Sequence, residues 1–311
     1  MQETPPQTIQ KTTIVPLHYC GFGLPEGSTY PITENVSIKS FEGILKTENF
    51  KLWREYVSDR EREALASIRL ALFNNFDSNS YIGHEEKESQ DLLHKVFVCL
   101  RLIKPTRNNF SAIQVRWIGQ DQIDVFSFTH PRDQLLNIPH SEVLNVIRPE
   151  DLKLLSQIIG PFLKVQDKGP SHIRRAIRWY EEGYTDIQDA VLQIIVWVMG
   201  ILNAVSEGEA PRPREEILKQ IDKRVGFDSN IYEDSWLEDH EYKTKLTVGE
   251  AVTDLFKLYD RFICGTWIPK EWEKRPNRRL ENGEEVPYAD SMRDVASYIL
   301  RKTILRQIEI G

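Results

Sequence analysis

Apolar positions along the 311-residue chain change their spacing near its middle. From Thr12 to about Leu45 they come in short pieces broken by turn residues. Ile14-Val15-Pro16-Leu17 runs into Gly21, Gly23 and Pro25-Glu26-Gly27, and Asn35-Val36-Ser37-Ile38 alternates polar with apolar. This pattern predicts strands and loops. A helix is predicted next, from the capping box Ser58-x-x-Glu61 and a stripe of Leu65, Ile68, Leu72 and Phe73. A polar stretch, Asn74 to Lys87, leads to a second helix with Leu92, Leu93, Val96, Phe97 and Leu100 on its apolar face, ended by Pro105. Two β-like runs follow, Ala112–Trp117 and Ile123–Phe126, with Gly119-Gln120-Asp121 between them, so a hairpin is expected.

From Pro149 onward helical spacing dominates. Leu152, Leu154, Leu155, Ile158 and Ile159 open it, and Gly160-Pro161 is expected to kink or end that helix. Ile173–Tyr180 is a short amphipathic helix with Arg174, Arg175 and Arg178 on its polar side, stopped by Gly183. Thr185-x-x-Gln188 is read as the cap of the most apolar helix, Asp189 to about Val205, which is hydrophobic nearly all round and belongs at the centre of a bundle. Glu207–Arg214 reads as a loop. Helices are expected at about Arg214–Val225, Val248–Phe262 and Asp290–Ile308. The layout is a loose tail over 1–11, an α+β domain over 12–148 and an all-α bundle over 149–311, with the boundary within Arg148–Pro170.

Composition narrows the classes. At roughly 150 residues per domain the length suits two domains, and 40 cationic against 47 anionic side chains give a net charge of −7. That balance argues against coating nucleic acid non-specifically while allowing a local basic patch. Three cysteines, Cys20, Cys99 and Cys264, lie far apart and form neither a disulfide framework nor a zinc knuckle. The first thirty residues lack the charged start and apolar run of a signal peptide. The best apolar stretch, Ile194–Leu202, falls well short of the about eighteen residues a membrane span needs. A cytoplasmic protein without membrane contact is expected.

Leu258-Tyr259-Asp260-Arg261-Phe262-Ile263-Cys264-Gly265-Thr266-Trp267 resembles the signature region of HEPN domains. His172–Ile308 is similar to their ApeA-like branch in the order of its parts: Arg175–Tyr180, the central helix with Trp197, the Leu-Tyr-Asp helix end, and the final helix with Ser297–Arg301. The resemblance implies an all-α HEPN-like bundle behind a variable α+β part, a homodimer or a protein partner, RNA as a ligand, and a setting in prokaryotic defence or toxin–antitoxin-like systems. Active members are metal-independent endoribonucleases with arginine, four to six residues, then histidine at a helix end. Cleavage by the RNA 2′-hydroxyl needs a group that exchanges a proton near neutral pH, which histidine supplies. It also needs a fixed cation for the phosphate oxygens, which arginine supplies.

This chain departs from that motif. Cys264 stands at the histidine's place, five residues back is Tyr259, and Arg261 is on a different spacing. None of His18, His84, His94, His130, His140, His172 or His240 has an arginine five to seven residues before it. The central helix carries Met199-Gly200-Ile201 where relatives often have a glutamate. The expectation is therefore a HEPN-like protein without catalysis, acting by protein or RNA binding, with no cofactor or metal. The alternatives are a divergent metal-independent endoribonuclease using Arg261, Cys264 and Tyr259, or a histidine delivered from the N-terminal part, and a purely structural interaction protein.

For RNA, the candidates are Arg174, Arg175 and Arg178, beside Trp179 and Tyr180, and the basic stretch Lys270, Lys274, Arg275, Arg278 and Arg279. Solvated faces paired with Glu181 and Glu182, or with Glu271, Glu273, Glu281, Glu284 and Glu285, are the plainer alternatives. His84, Glu85, Glu86 and His94 lack the spacing of a metal site and read as a solvated loop. Asp121 is explained by turn chemistry, and Gly21-x-Gly23 is no nucleotide fingerprint. Trp197, Trp267 and Trp272 are expected in the core or an interface, and Trp236, among acidic residues, is a candidate partner anchor.

Overall fold

The computed structural model describes residues 9–17, 20–21, 29–41, 70–78, 84–105, 112–118, 122–128, 146–184, 187, 189–206, 213–229, 247–265, 278–279, 285–286 and 288–310. The chain divides into two compact units, 1–160 and 161–311.

The first unit is built on an antiparallel sheet. Its strands are β1 (Ile9–Leu17), β3 (Thr29–Pro31), β4 (Val36–Ser40), β5 (Leu70–Ser78), β6 (Ile113–Ile118) and β7 (Gln122–Phe128), in the order β3-β4-β5-β1-β6-β7. A small parallel pair joins β2 (Cys20–Gly21) to β8 (Val146–Ile147). β1 is central, pairing with β5 along its length and with β6 over Lys11–Ile14. Ile14, Val15 and Leu17 have no solvent exposure, so the middle of the sheet is covered on both faces. Helix α1 (His84–Ile103) packs on β1 and β5, with Leu93, Val96, Phe97 and Leu100 buried, as its apolar stripe requires.

Three expectations need correction here. Leu72 and Phe73 belong to β5, paired with Val15 and Ile14, and not to a helix. Leu70-Ala71-Leu72-Phe73 is a short apolar run, whose spacing does not separate strand from helix, and sheet pairing decides it. The Ser58–Glu61 cap lies outside the described residues. The polar stretch Asn74–Lys87 is not a separate linker: Asn74–Ser78 completes β5, and His84–Lys87 opens α1. Ile9, Gln10 and Lys11, placed in a loose tail, are strand.

Helix α2 (Pro149–Lys168) continues past Gly160-Pro161, so of the two expected outcomes, a kink or an end, the end does not occur there. Among the described residues the second unit otherwise contains α3 (Ser171–Glu182), α4 (Ala190–Val205), α5 (Arg214–Val225), α6 (Val248–Ile263), α7 (Tyr288–Ile310) and a short antiparallel pair of β9 (Arg278–Arg279) with β10 (Glu285–Val286). Helix α4 packs against α3, α5, α6 and α7, the central place its all-round apolarity predicts. Val191, Ile194, Trp197, Val198, Ile201 and Val205 are buried there, and full burial of such a side chain stabilises by about 1.5–3 kcal/mol.

The cap of α4 is Asp189, whose carboxylate accepts from Leu192 N at 2.9 Å. Thr185 and Gln188, read as its cap, lie outside the described residues. Helix α6 starts with a capping box in which Thr247 Oγ1 accepts from Glu250 N and Glu250 Oε2 accepts from Thr247 N. At the junction of α3 and α4 the Trp197 indole donates to Tyr180 O at 3.1 Å, and Gln193 Nε2 donates to Gly183 O at 3.1 Å. Tyr184 OH meets Ser297 Oγ at 2.9 Å, tying this junction to α7.

Candidate functional site

Helix α3 separates its two sides sharply. Ile173, Ala176, Ile177 and Tyr180 are buried, while Arg174, Arg175 and Arg178 are exposed. Arg174 and Arg178 stand one turn apart and therefore share a ridge. Among the described residues the Arg174 side chain makes no hydrogen bond or ion pair, its main-chain N–H donating to Pro170 O at 3.2 Å. Arg175 Nε donates to Asn203 Oδ1 at 3.1 Å, an amide that does not neutralise it. Arg178 lies 3.7 Å from Glu182, with 81% of its side chain exposed. That separation and exposure make the pair weak and salt-screened. Trp179 is half-buried between the arginines and the core. The helix thus offers three guanidinium groups over about one and a half turns.

The end of α6 is arranged differently. Cys264 is the C-cap residue and is exposed, with its N–H donating to Asp260 O at 3.2 Å. Arg261 and Tyr259 are half-buried. Asp260 is bonded to Arg214 Nη2 on α5 at 2.5 Å, and Arg214 also stacks over Phe256 at 4.3 Å. The carboxylate nearest Cys264 in sequence therefore already has a cation. No histidine occurs in Val248–Gly265. Gly200 of α4 is closed to a side chain as it stands: an added Cβ would come 2.6 Å from Leu300 Cδ2 and 3.2 Å from Trp179 Cβ. Close packing of α4 against Leu300 and Trp179 is what this glycine permits.

Of the basic stretch, Lys270, Lys274 and Arg275 lie outside the described residues, as do Trp236, Trp267, Trp272 and Asp121. Arg278 and Arg279 form β9, with Arg279 opposite Glu285 and Arg278 opposite Val286. The α3 and α6 groups belong to one unit, and no described contact joins the arginines of α3 to Cys264.

Two polar features escape sequence reading. One is a buried network in the first unit. Lys11 pairs with Glu86 and donates to Ser78 Oγ, Gln114 Nε2 donates to Glu86 O, and Asn74 Nδ2, Ser89 Oγ and Thr13 Oγ1 form a chain of 2.8 Å bonds. The expected solvated loop at His84–Glu86 is thus a helix start with a buried carboxylate, while His84 is exposed beside Glu88. Strand alternation was the available signal, since Lys11, Thr13, Val15 and Leu17 share one face. The other is a pocket at the ends of α5 and α7, whose residues carry no recognisable motif.

Among the described residues no group of three or more histidine, cysteine or acidic side chains is placed to hold a metal. Likewise, no described helix is long and apolar enough to cross a membrane. Cys99 is buried in α1, and desolvation pushes its thiol well above the usual range.

Comparison of the chain with protein-family models, curated proteins and solved structures finds no match.

Proposed function

We propose that the chain acts by binding, as a HEPN-like bundle without ribonuclease chemistry, and that α3 contacts RNA phosphates. The observation that carries this reading is the exposed guanidinium face of Arg174, Arg175 and Arg178 on a chain whose net charge is −7. A cationic ridge on an acidic protein concentrates a polyanion locally without general adhesion to nucleic acid. Guanidinium groups bind phosphate oxygens through paired N–H donors, and a neighbouring aromatic ring adds stacking on unpaired bases.

Catalysis is left out on chemical grounds. Proton transfer to and from a ribose hydroxyl needs a base and an acid at the same helix end. The α6 end supplies a cysteine, and its neighbouring aspartate is held by Arg214. The setting in prokaryotic defence or a toxin–antitoxin-like system rests on the resemblance alone.

The test uses full-length protein, metal-free buffer, and labelled single-stranded and hairpin RNA. Binding without cleavage is expected. Cleavage lost in Cys264→Ala or Arg261→Ala would establish the divergent endoribonuclease instead. No RNA binding at low salt would leave the structural interaction protein.

A further inference from the structure

The three arginines of α3 are not equivalent. Arg174 and Arg178 share one exposed ridge, whereas Arg175 and Trp179, also one turn apart, share the ridge that borders α4. There Arg175 Nε donates to Asn203 Oδ1 at 3.1 Å, and an added Cβ on Gly200 would come 3.2 Å from Trp179 Cβ. The two helices therefore run antiparallel along this border, with Arg175 level with Asn203 and Trp179 level with Gly200.

Both ends of the Asn203 amide are in use. Its Nδ2 donates to Met199 O at 2.8 Å, one turn back in α4, while its Oδ1 accepts from Arg175. The helix thus fixes the amide, and the amide fixes the guanidinium. Among the described residues the Nη1 and Nη2 groups of Arg175 make no hydrogen bond or ion pair, which leaves a fork of parallel N–H donors held in one orientation. Trp179, one turn on, is half-buried, and so is Met199.

A guanidinium that only neutralises phosphate gains from following the strand, and the exposed Arg174 and Arg178 have that freedom. A fork preset by a neutral amide beside an indole suits a planar ligand with two adjacent acceptors. Among bases, guanine offers such a pair at N7 and O6. Resting on the RNA reading above, we propose that Arg175 is the base-reading residue of the α3 surface, taking an unpaired guanine by its N7/O6 edge with the purine stacked on Trp179. Asn203 is a positioning residue, and Arg174 and Arg178 hold the neighbouring phosphates. Unpaired cytosine also has adjacent acceptors, O2 and N3, but the smaller ring covers less of the indole. The Arg175 charge still counts towards counterion release from the strand.

The test is anisotropy of full-length protein on labelled uridine oligomers carrying one central guanosine, 7-deazaguanosine, adenosine or cytidine. The guanosine strand should bind at least about fivefold more tightly than the other three, the low end for one bidentate base contact. Arg175→Lys keeps the charge and loses the fork, so it should abolish this preference while the salt slope stays as in the parent. Asn203→Ala should reduce the preference in the same way, with the melting temperature reporting whether folding is preserved. Arg174→Lys should retain it. Equal affinity for all four strands, tighter binding of cytidine, or a guanosine preference that survives in Arg175→Lys would overturn the assignment and leave phosphate binding at α3 standing. No binding of any strand at low salt would overturn both.

Discussion

Lys11 of β1 and Glu86 of α1 form an ion pair with side chains only 1% and 5% exposed. The pair clamps the first helix to the central strand at the point where Ser78 and Gln114 add further hydrogen bonds. Removing one member of a buried pair leaves an uncompensated charge, at a cost of about 3–5 kcal/mol. Lys11→Met and Glu86→Gln should each lower stability in urea by an amount of that order. The double change Lys11→Met/Glu86→Leu should recover most of the loss, because replacing both charges removes the desolvation penalty. Single variants as stable as the parent would show that the clamp contributes nothing.

The glycines make opposite predictions. At Gly183 an added Cβ would sit 2.1 Å from Trp197 Nε1, inside the indole that bonds Tyr180. Gly183→Ala should destabilise the second unit by about 1–3 kcal/mol, the range for overpacking a filled core, with altered tryptophan fluorescence. Gly160 lies exposed within α2, and nothing stands within 4 Å of its added Cβ. Gly160→Ala should therefore stabilise by about 0.5–1 kcal/mol through helix propensity. Thermal unfolding of the two variants checks both signs.

The thiols should behave oppositely as well. Burial raises the Cys99 thiol far above its ordinary value of 9.0, whereas Cys264 is exposed. A maleimide at pH 8, followed by peptide mass mapping, should label Cys264 rapidly and Cys99 only on unfolding. The linkage has a definite sign. Above pH 9 the unfolded chain ionises at Cys99 and the folded chain does not, so the native state binds more protons and stability falls as pH rises. The Cys99 contribution is complete below pH 9 and declines above it by up to about 1.4 kcal/mol per pH unit. Urea unfolding at pH 8 to 10 should show this slope reduced in Cys99→Ala relative to the parent.

The helices of the second unit were legible because periodicity and apolar content survive without tertiary information. Arg214–Val225 is matched at both ends, and α4 occupies the centre as its composition requires. The sheet was harder to read. Leu72 and Phe73 fit a helical stripe and a strand equally well, and only their pairing with Val15 and Ile14 separates the two. Lys11 was hidden by its polarity: a lysine among threonines suggests a surface tail until Glu86, seventy-five residues later, is brought to it. On α3 the arginine face was visible as a pattern. The pocket near Arg224 was not, because the Gln220 and Gln307 amides that define it come from distant parts of the chain.

Fluorescence anisotropy of a labelled single-stranded RNA, measured across a salt series, tests the central claim most directly. The account predicts binding that weakens steeply with salt, no cleavage without metal, and a slope shallower by about two in Arg174→Glu/Arg175→Glu/Arg178→Glu, about 0.7 per lost phosphate contact on a single strand. An unchanged affinity and salt slope in that variant, or cleavage of the RNA by the parent protein, would contradict it.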